Sequence, residues 1–183
     1  MKAVLALLAT EKVQDFVRNL AGQLHEEEGF MLFSSYLPTH VSLKQGFEYE
    51  DEARLARYAT DLSTRIRPVQ IELDSFYLWD TGDYGVLGLN VVETGVLRGL
   101  HNRLNRELRE VVRDPSAPYD GDHYRFHVTI EIGQNGPSMV VLRDFYQLLP
   151  EKKVNLRFIS SEMALIVNRN EEMEPNAFEI VQV

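Results

Sequence analysis

Two short stretches of this chain repeat one pattern, His40-Val41-Ser42-Leu43 and His127-Val128-Thr129-Ile130. In each, a histidine precedes a hydroxyl residue by two positions within an apolar alternation. On an extended strand such a pair shares one face, while Val41/Leu43 or Val128/Ile130 point the other way. Imidazole is the side chain best suited to passing protons near neutrality. Two imidazoles flanking a phosphate can divide the work: one removes a proton from the attacking hydroxyl or water, the other gives a proton to the leaving oxygen. The hydroxyls of Ser42 and Thr129 can donate hydrogen bonds to phosphoryl oxygens as charge builds on them. Such a set suits metal-free transesterification or hydrolysis of a phosphodiester, particularly one beside a ribose hydroxyl or in a strained cyclic phosphate.

Strict alternation extends both faces. It places Lys44 with His40 and Ser42, and it places His123, Arg125 and Glu131 with His127 and Thr129. Lys44 and Arg125 are therefore accessory cation candidates, and His123 is expected in solvent at the mouth of its strand. His40, His123, His127 and Glu131 could in principle hold zinc. The repeated unit, however, is histidine with a hydroxyl, and no H-E-x-x-H run exists, so no metal and no cofactor is expected. The chain has no G-x-S-x-G elbow, no G-x-G-x-x-G and no P-loop. Tyr36, Tyr77, Trp79 and Tyr124 are the aromatics nearest the motifs in strand order, and a base could stack on one of them. His25 and His101 fall in helical stretches, where surface placement is expected.

The elements that must position these residues follow from hydrophobic periodicity. Residues 2–9 read as a buried strand rather than a signal segment, since only Lys2 precedes the apolar run. Val13, Phe16, Val17, Leu20 and Leu24 define an amphipathic helix over 11–27. A strand over 39–47 carries the first motif. Leu55, Ala59, Leu62 and Ile66 mark a helix over 51–66. Strands over 69–79 and 84–92 flank the turn at Asp80-Thr81-Gly82-Asp83. Leu97, Leu100, Leu104, Leu108 and Val111 stripe a helix over 94–112. A linker with Pro115, Pro118 and Gly121 follows. The pattern then restarts, with a strand over 123–132 carrying the second motif, a helix over 137–149 and strands over 153–160 and 163–169. A last strand over 177–183 could complete the opposite lobe. Both halves thus read as strand, helix, strand, strand, which predicts an α+β, internally duplicated bilobal fold. Antiparallel sheets would surround a central groove with helices outside, and residues 1–183 would form one such domain.

Composition narrows the partners. The 183 residues are 44% hydrophobic and 26% charged, as in an ordinary globular protein. With 19 basic and 28 acidic residues the formal charge is −9, and no basic stripe interrupts it. An extended nucleic-acid footprint is therefore not expected, whereas a small nucleotide or an RNA-terminal phosphate in a local pocket is compatible. No cysteine is present, which removes disulfides and thiol chemistry and fits a reducing, cytoplasmic setting. No apolar run approaches membrane-spanning length.

On these residues the chain resembles the 2H phosphoesterase superfamily, which includes the 2′-5′ RNA ligase-like proteins and cyclic phosphodiesterases. The resemblance lies in the two histidine–x–serine/threonine–hydrophobic motifs and in the element order, and it spans about residues 2–170. It implies that His40 and His127 form a catalytic acid/base pair and that Ser42 and Thr129 bind phosphate. It also implies substrates such as 2′,3′-cyclic phosphates, RNA ends carrying them, 2′-5′ linkages or ADP-ribose cyclic phosphate. The alternative readings are a catalytically silent module that binds nucleotides or RNA ends in the same groove, and a partner-binding domain that keeps only the fold. Side-chain identity does not say which histidine is acid and which base, nor the product isomer or oligomeric state.

Overall fold

The structure of the chain is a computed structural model that describes residues 1–24, 30, 33–82, 84–117, 120–134, 136–149, 152–169 and 177–183. Strand β1 (Lys2–Leu8) leads to helix α1 (Glu11–Gly22), a short helix α2 (Phe33–Tyr36) and strand β2 (His40–Glu48). Helix α3 (Glu52–Arg65) starts on Asp51, whose carboxylate accepts from the Arg54 amide and satisfies one of the orphan donors of the first turn. Strands β3 (Val69–Asp80) and β4 (Gly85–Val91) form a hairpin. Helix α4 (Gly95–Glu107), capped by the Thr94 hydroxyl, runs on into a 3₁₀ turn at Leu108–Glu110. A second 3₁₀ turn (Gly121–His123) precedes β5 (His127–Gly133). Helix α5 (Gly136–Leu148) and strands β6 (Lys153–Ser160), β7 (Met163–Asn168) and β8 (Phe178–Gln182) complete the chain. The expected helix over 11–27 thus ends by Gly22, and residues 25–27 with His25 lie outside the described residues. No helix among the described residues is long and apolar enough to cross a membrane.

The strands form two antiparallel four-stranded sheets, in the orders β2-β1-β7-β8 and β5-β4-β3-β6. The halves of the sequence are therefore not the sheets of the fold. Strands β3 and β4 follow the first motif yet pair beside β5, and β7 follows the second motif yet pairs with β1. The tail strand β8 extends that first sheet through β7, as expected for a strand that completes the opposite lobe. Each motif strand lies at the edge of its own sheet, and the two edges, β2 and β5, pack against each other.

The helices are exchanged in the same way. Helix α1 packs on β5, and α4 packs on β2. Their apolar stripes, Val13/Val17/Ala21 and Leu97/Leu104, enter one continuous core with Leu5, Leu43, Leu73, Leu87 and Leu89. Burying each such leucine is worth about 1.5–3 kcal/mol, so the elements that hold the two motifs are stabilised jointly.

Both motif strands carry a β-bulge at the same place. In the first sheet Leu5 pairs with Lys44 and Ala6 with Ser42, leaving Leu43 unpaired between them. In the second, Leu87 pairs with Glu131 and Gly88 with Thr129, leaving Ile130 as the extra residue. A bulge inserts one residue and reverses the alternation beyond it. Lys44 and Glu131, which alternation put on the groove face, are consequently turned inward, both with no exposed surface. The second strand is also shorter than expected. It begins at His127, so His123 and Arg125 reach the groove from the turn and extended segment before it.

Candidate active site

His40 and His127 are each the first residue of their strand, and each is held by the same local bond. His40 Nδ1 lies 2.9 Å from the Pro38 carbonyl oxygen, and His127 Nδ1 lies 3.0 Å from that of Arg125. A carbonyl only accepts, so Nδ1 carries the hydrogen in both rings, and Nε2 is the nitrogen left for chemistry. Burial lowers the pKa of His40 below that of an ordinary imidazole, opposed by the Pro38 carbonyl and reinforced by the nearby His127 ring. Burial also lowers the pKa of His127, again opposed by its own carbonyl bond, here to Arg125. The Tyr77 ring meets His127 edge to face at 5.8 Å. Tyr77 can lie there because its neighbour across the sheet is Gly88, where a Cβ would fall 2.6 Å from the Tyr77 ring and 2.5 Å from the Val128 carbonyl.

Ser42 and Thr129 stand two residues beyond each histidine, half-buried, on the same face. The groove between the motifs is strongly asymmetric. His40 and Thr129, from opposite sheets, line a narrow pocket of about 10 Å³ with Ser34, Leu37, Pro38 and Thr39. That is room for one water molecule. Helix α2 packs on β5, and Phe30 bridges to Gly133 at the end of that strand. Ser34 Oγ is buried there with no hydrogen-bond partner among the described residues. On the His127 side opens a cavity of about 480 Å³, lined by Tyr77, Trp79, Asn90, His123, Arg125 and, from the first sheet, Gln45. The β2 bulge that turns Lys44 inward is also what brings Gln45 to the cavity.

Beneath the groove a polar cluster ties the two motifs together. Tyr124 Oη donates to the Ser42 carbonyl at 2.9 Å. His101, expected on the surface, is fully buried and stacks on Tyr124 with ring centroids 4.2 Å apart. Its Nδ1 donates to the carbonyl of the bulged Leu43 at 2.8 Å, and its Nε2 accepts from the Gly121 amide at 3.1 Å. The sequence did carry a signal for this placement, because His101 falls on the apolar stripe Leu97–His101–Leu104–Leu108. Lys44 Nζ is buried in an ion pair with Asp120, which also accepts from the Ala117 amide. Lys44 thus holds Asp120 and does not face the groove, which corrects its expected accessory place. Arg125 and His123 do face it and are exposed. Of the four aromatics singled out, Tyr77, Trp79 and Tyr124 line the large cavity, whereas Tyr36 is an exposed residue of α2. Glu131 is turned away from the groove histidines, and among the described residues no three His, Asp or Glu side chains converge as metal ligands would. Ser34, Gln45 and Asn90 are the groove residues that sequence reasoning missed.

Fold and site together define a class: an α+β protein of two antiparallel sheets whose edge strands bring paired histidine–hydroxyl motifs to one groove. The model of the 2′-5′ RNA ligase superfamily matches residues 11–172, and the chain belongs to that family of 2H phosphoesterases. No curated protein matches the chain in sequence. Among solved structures, TT0787 of Thermus thermophilus superposes with a TM-score of 0.65 at 16% identity, over 100% of this chain and 96% of that one. E. coli LigT complexed with NADP+ gives 0.63 at 13% identity, over 100% and 94%. Kluyveromyces marxianus Usb1 with uridine monophosphate gives 0.54 at 17% identity, over 100% and 98%. At these identities the likeness is one of fold.

Proposed function

We propose that this protein is a metal-independent phosphoesterase that hydrolyses a 2′,3′-cyclic phosphate or a related RNA or nucleotide phosphodiester, with His40 and His127 as its acid/base pair. The observation that carries this reading is the matched pair of Nδ1–carbonyl bonds, which leaves both Nε2 atoms for the groove. Family membership supports phosphoester chemistry, and the nucleotides held by LigT and Usb1 support a nucleotide substrate on this fold.

The asymmetry of the groove supports a division of roles. The water-sized pocket lies on the His40 side and the nucleoside-sized cavity on the His127 side. Neutral His40 takes a proton from water through Nε2 as the water oxygen bonds to phosphorus. The phosphorus–oxygen bond to the ribose breaks on the opposite side, and protonated His127 gives its Nε2 proton to that ribose oxygen. The product is a nucleoside phosphomonoester. Ser42 and Thr129 donate hydrogen bonds to the non-bridging oxygens, and Ser34 holds the water. Each imidazole is asked for about 10²–10⁴ in rate.

The test is incubation with the four nucleoside 2′,3′-cyclic phosphates in excess chelator, with 2′- and 3′-monophosphate products separated. Turnover of one isomer in chelator, lost in His40→Ala and His127→Ala, is the expected result. Turnover that vanishes in chelator and returns with a divalent ion would refute the metal-independent reading.

A further inference from the structure

The cavity beside His127 is far larger than a cyclic phosphate needs, and its lining is specific. Trp79 is the only tryptophan of the chain and lies 43% exposed on the cavity wall, with Tyr84 set edge to face against it at 6.4 Å. Arg125 precedes His127 by two residues, and its carbonyl holds the His127 ring at Nδ1. Its guanidinium is exposed, and among the described residues no carboxylate pairs with it. In a chain of net charge −9, Arg125 brings to the cavity wall a positive charge that no carboxylate among the described residues pairs with. Exposed His123 stands beside it there.

We infer that this cavity is a subsite for a nucleoside that carries a 5′-phosphoryl group, with the base against Trp79 and the 5′-phosphoryl on Arg125. The inference rests on the reading that the reacting phosphate lies between His40 and His127. Because His127 and Arg125 line the same cavity, one nucleotide there can set its 3′-side phosphate at the histidines and its 5′-phosphoryl at the guanidinium. Planar, bidentate recognition of phosphate is what a guanidinium supplies and an ammonium does not. The 5′-phosphoryl can be the monoester of a mononucleotide or the diester linking the last nucleoside of an RNA, and both present the same oxygens.

Binding tests this without turnover. Calorimetry on the wild-type protein compares adenosine 2′- and 3′-monophosphate with adenosine 2′,5′- and 3′,5′-bisphosphate, and with an ApA dinucleotide ending in a 2′- or 3′-phosphate. The bisphosphates, the dinucleotides or both bind about tenfold tighter than the monophosphates, and Arg125→Ala brings that ratio close to one while Arg18→Ala preserves it. Gain by the bisphosphates alone identifies a mononucleotide substrate, and gain by the dinucleotides an RNA end. Trp79 fluorescence is quenched by the nucleotides and not by inorganic phosphate. Equal affinity of all ligands for the wild type, or a ratio unchanged in Arg125→Ala, would overturn the subsite. Failure of hydrolysis would count against the proposed reaction alone, since the ligands are products and not substrates.

Discussion

The phenol of Tyr124, three residues before the second motif histidine, donates its hydrogen bond to the carbonyl of Ser42 in the first motif, 2.9 Å away. One side chain thus ties the segment leading into β5 to the hydroxyl position of β2, across two sheets that share no backbone ladder. Its ring is also the platform on which His101 stacks. The relative position of the motifs therefore depends on a buried polar contact as well as on the shared apolar core.

Removing only the hydroxyl tests this. Tyr124→Phe keeps the stacking on His101 but leaves the Ser42 carbonyl without this donor, at a cost of about 0.5–1.5 kcal/mol. Denaturant unfolding should show that loss, and kcat should fall several-fold as Ser42 loses its fixed position. Unchanged kcat in a destabilised variant would assign the contact to stability alone.

Ser34 makes a sharper prediction about the reaction. Its buried Oγ, without a hydrogen-bond partner among the described residues, shares the one-water pocket with His40 and Thr129. Ser34→Ala should lower kcat about tenfold, the loss of one hydrogen bond to the attacking water, with KM little changed. An increase in KM at constant kcat would place Ser34 on the substrate instead.

The pH dependence follows from burial. Both histidines titrate below the ordinary imidazole value. The base must be deprotonated and the acid protonated, so kcat/KM against pH should be bell-shaped with both flanks below about 6.5. Bound phosphate favours the imidazolium forms, so the profile of kcat should lie at higher pH than that of kcat/KM. Flanks above 6.5 for the free enzyme would contradict the burial of the pair.

Lys44 separates a structural cation from a substrate-binding one. Its side chain is fully buried against Asp120. Lys44→Met keeps the apolar stem and strands the Asp120 carboxylate, which should cost about 3–5 kcal/mol as a broken buried pair. Thermal unfolding should show this, while KM for the folded fraction should change little. Full stability with a large rise in KM would return Lys44 to the groove.

Much of this arrangement was legible in the sequence. Helical stripes such as Leu55/Ala59/Leu62 found α3, and the alternation around His127 found the apolar face of β5. The bulges were not legible, because His40-Val41-Ser42-Leu43-Lys44 reads as unbroken alternation. Only the pairing of Leu5 with Lys44 shows that Leu43 is extra. That one residue exchanges Lys44 for Gln45 at the groove. Sheet membership was hidden for a similar reason: the pairing of β7 with β1 joins strands from opposite ends of the chain, and no local pattern encodes it. Ser34 escaped because it lies in a four-residue helix without periodicity, which only the tertiary fold packs on β5.

The division of labour between the two imidazoles is tested most directly by changing the leaving group. His40→Ala and His127→Ala would be assayed on a nucleoside 2′,3′-cyclic phosphate and on bis(4-nitrophenyl) phosphate, whose nitrophenolate departs without a proton. With His40 as base and His127 as acid, His40→Ala loses about 10²-fold or more on both substrates, whereas His127→Ala loses that much on the cyclic phosphate and far less on the nitrophenyl ester. Equal losses for His127→Ala on the two substrates would contradict this division of labour, and an active His40→Ala would contradict two-histidine catalysis in this groove.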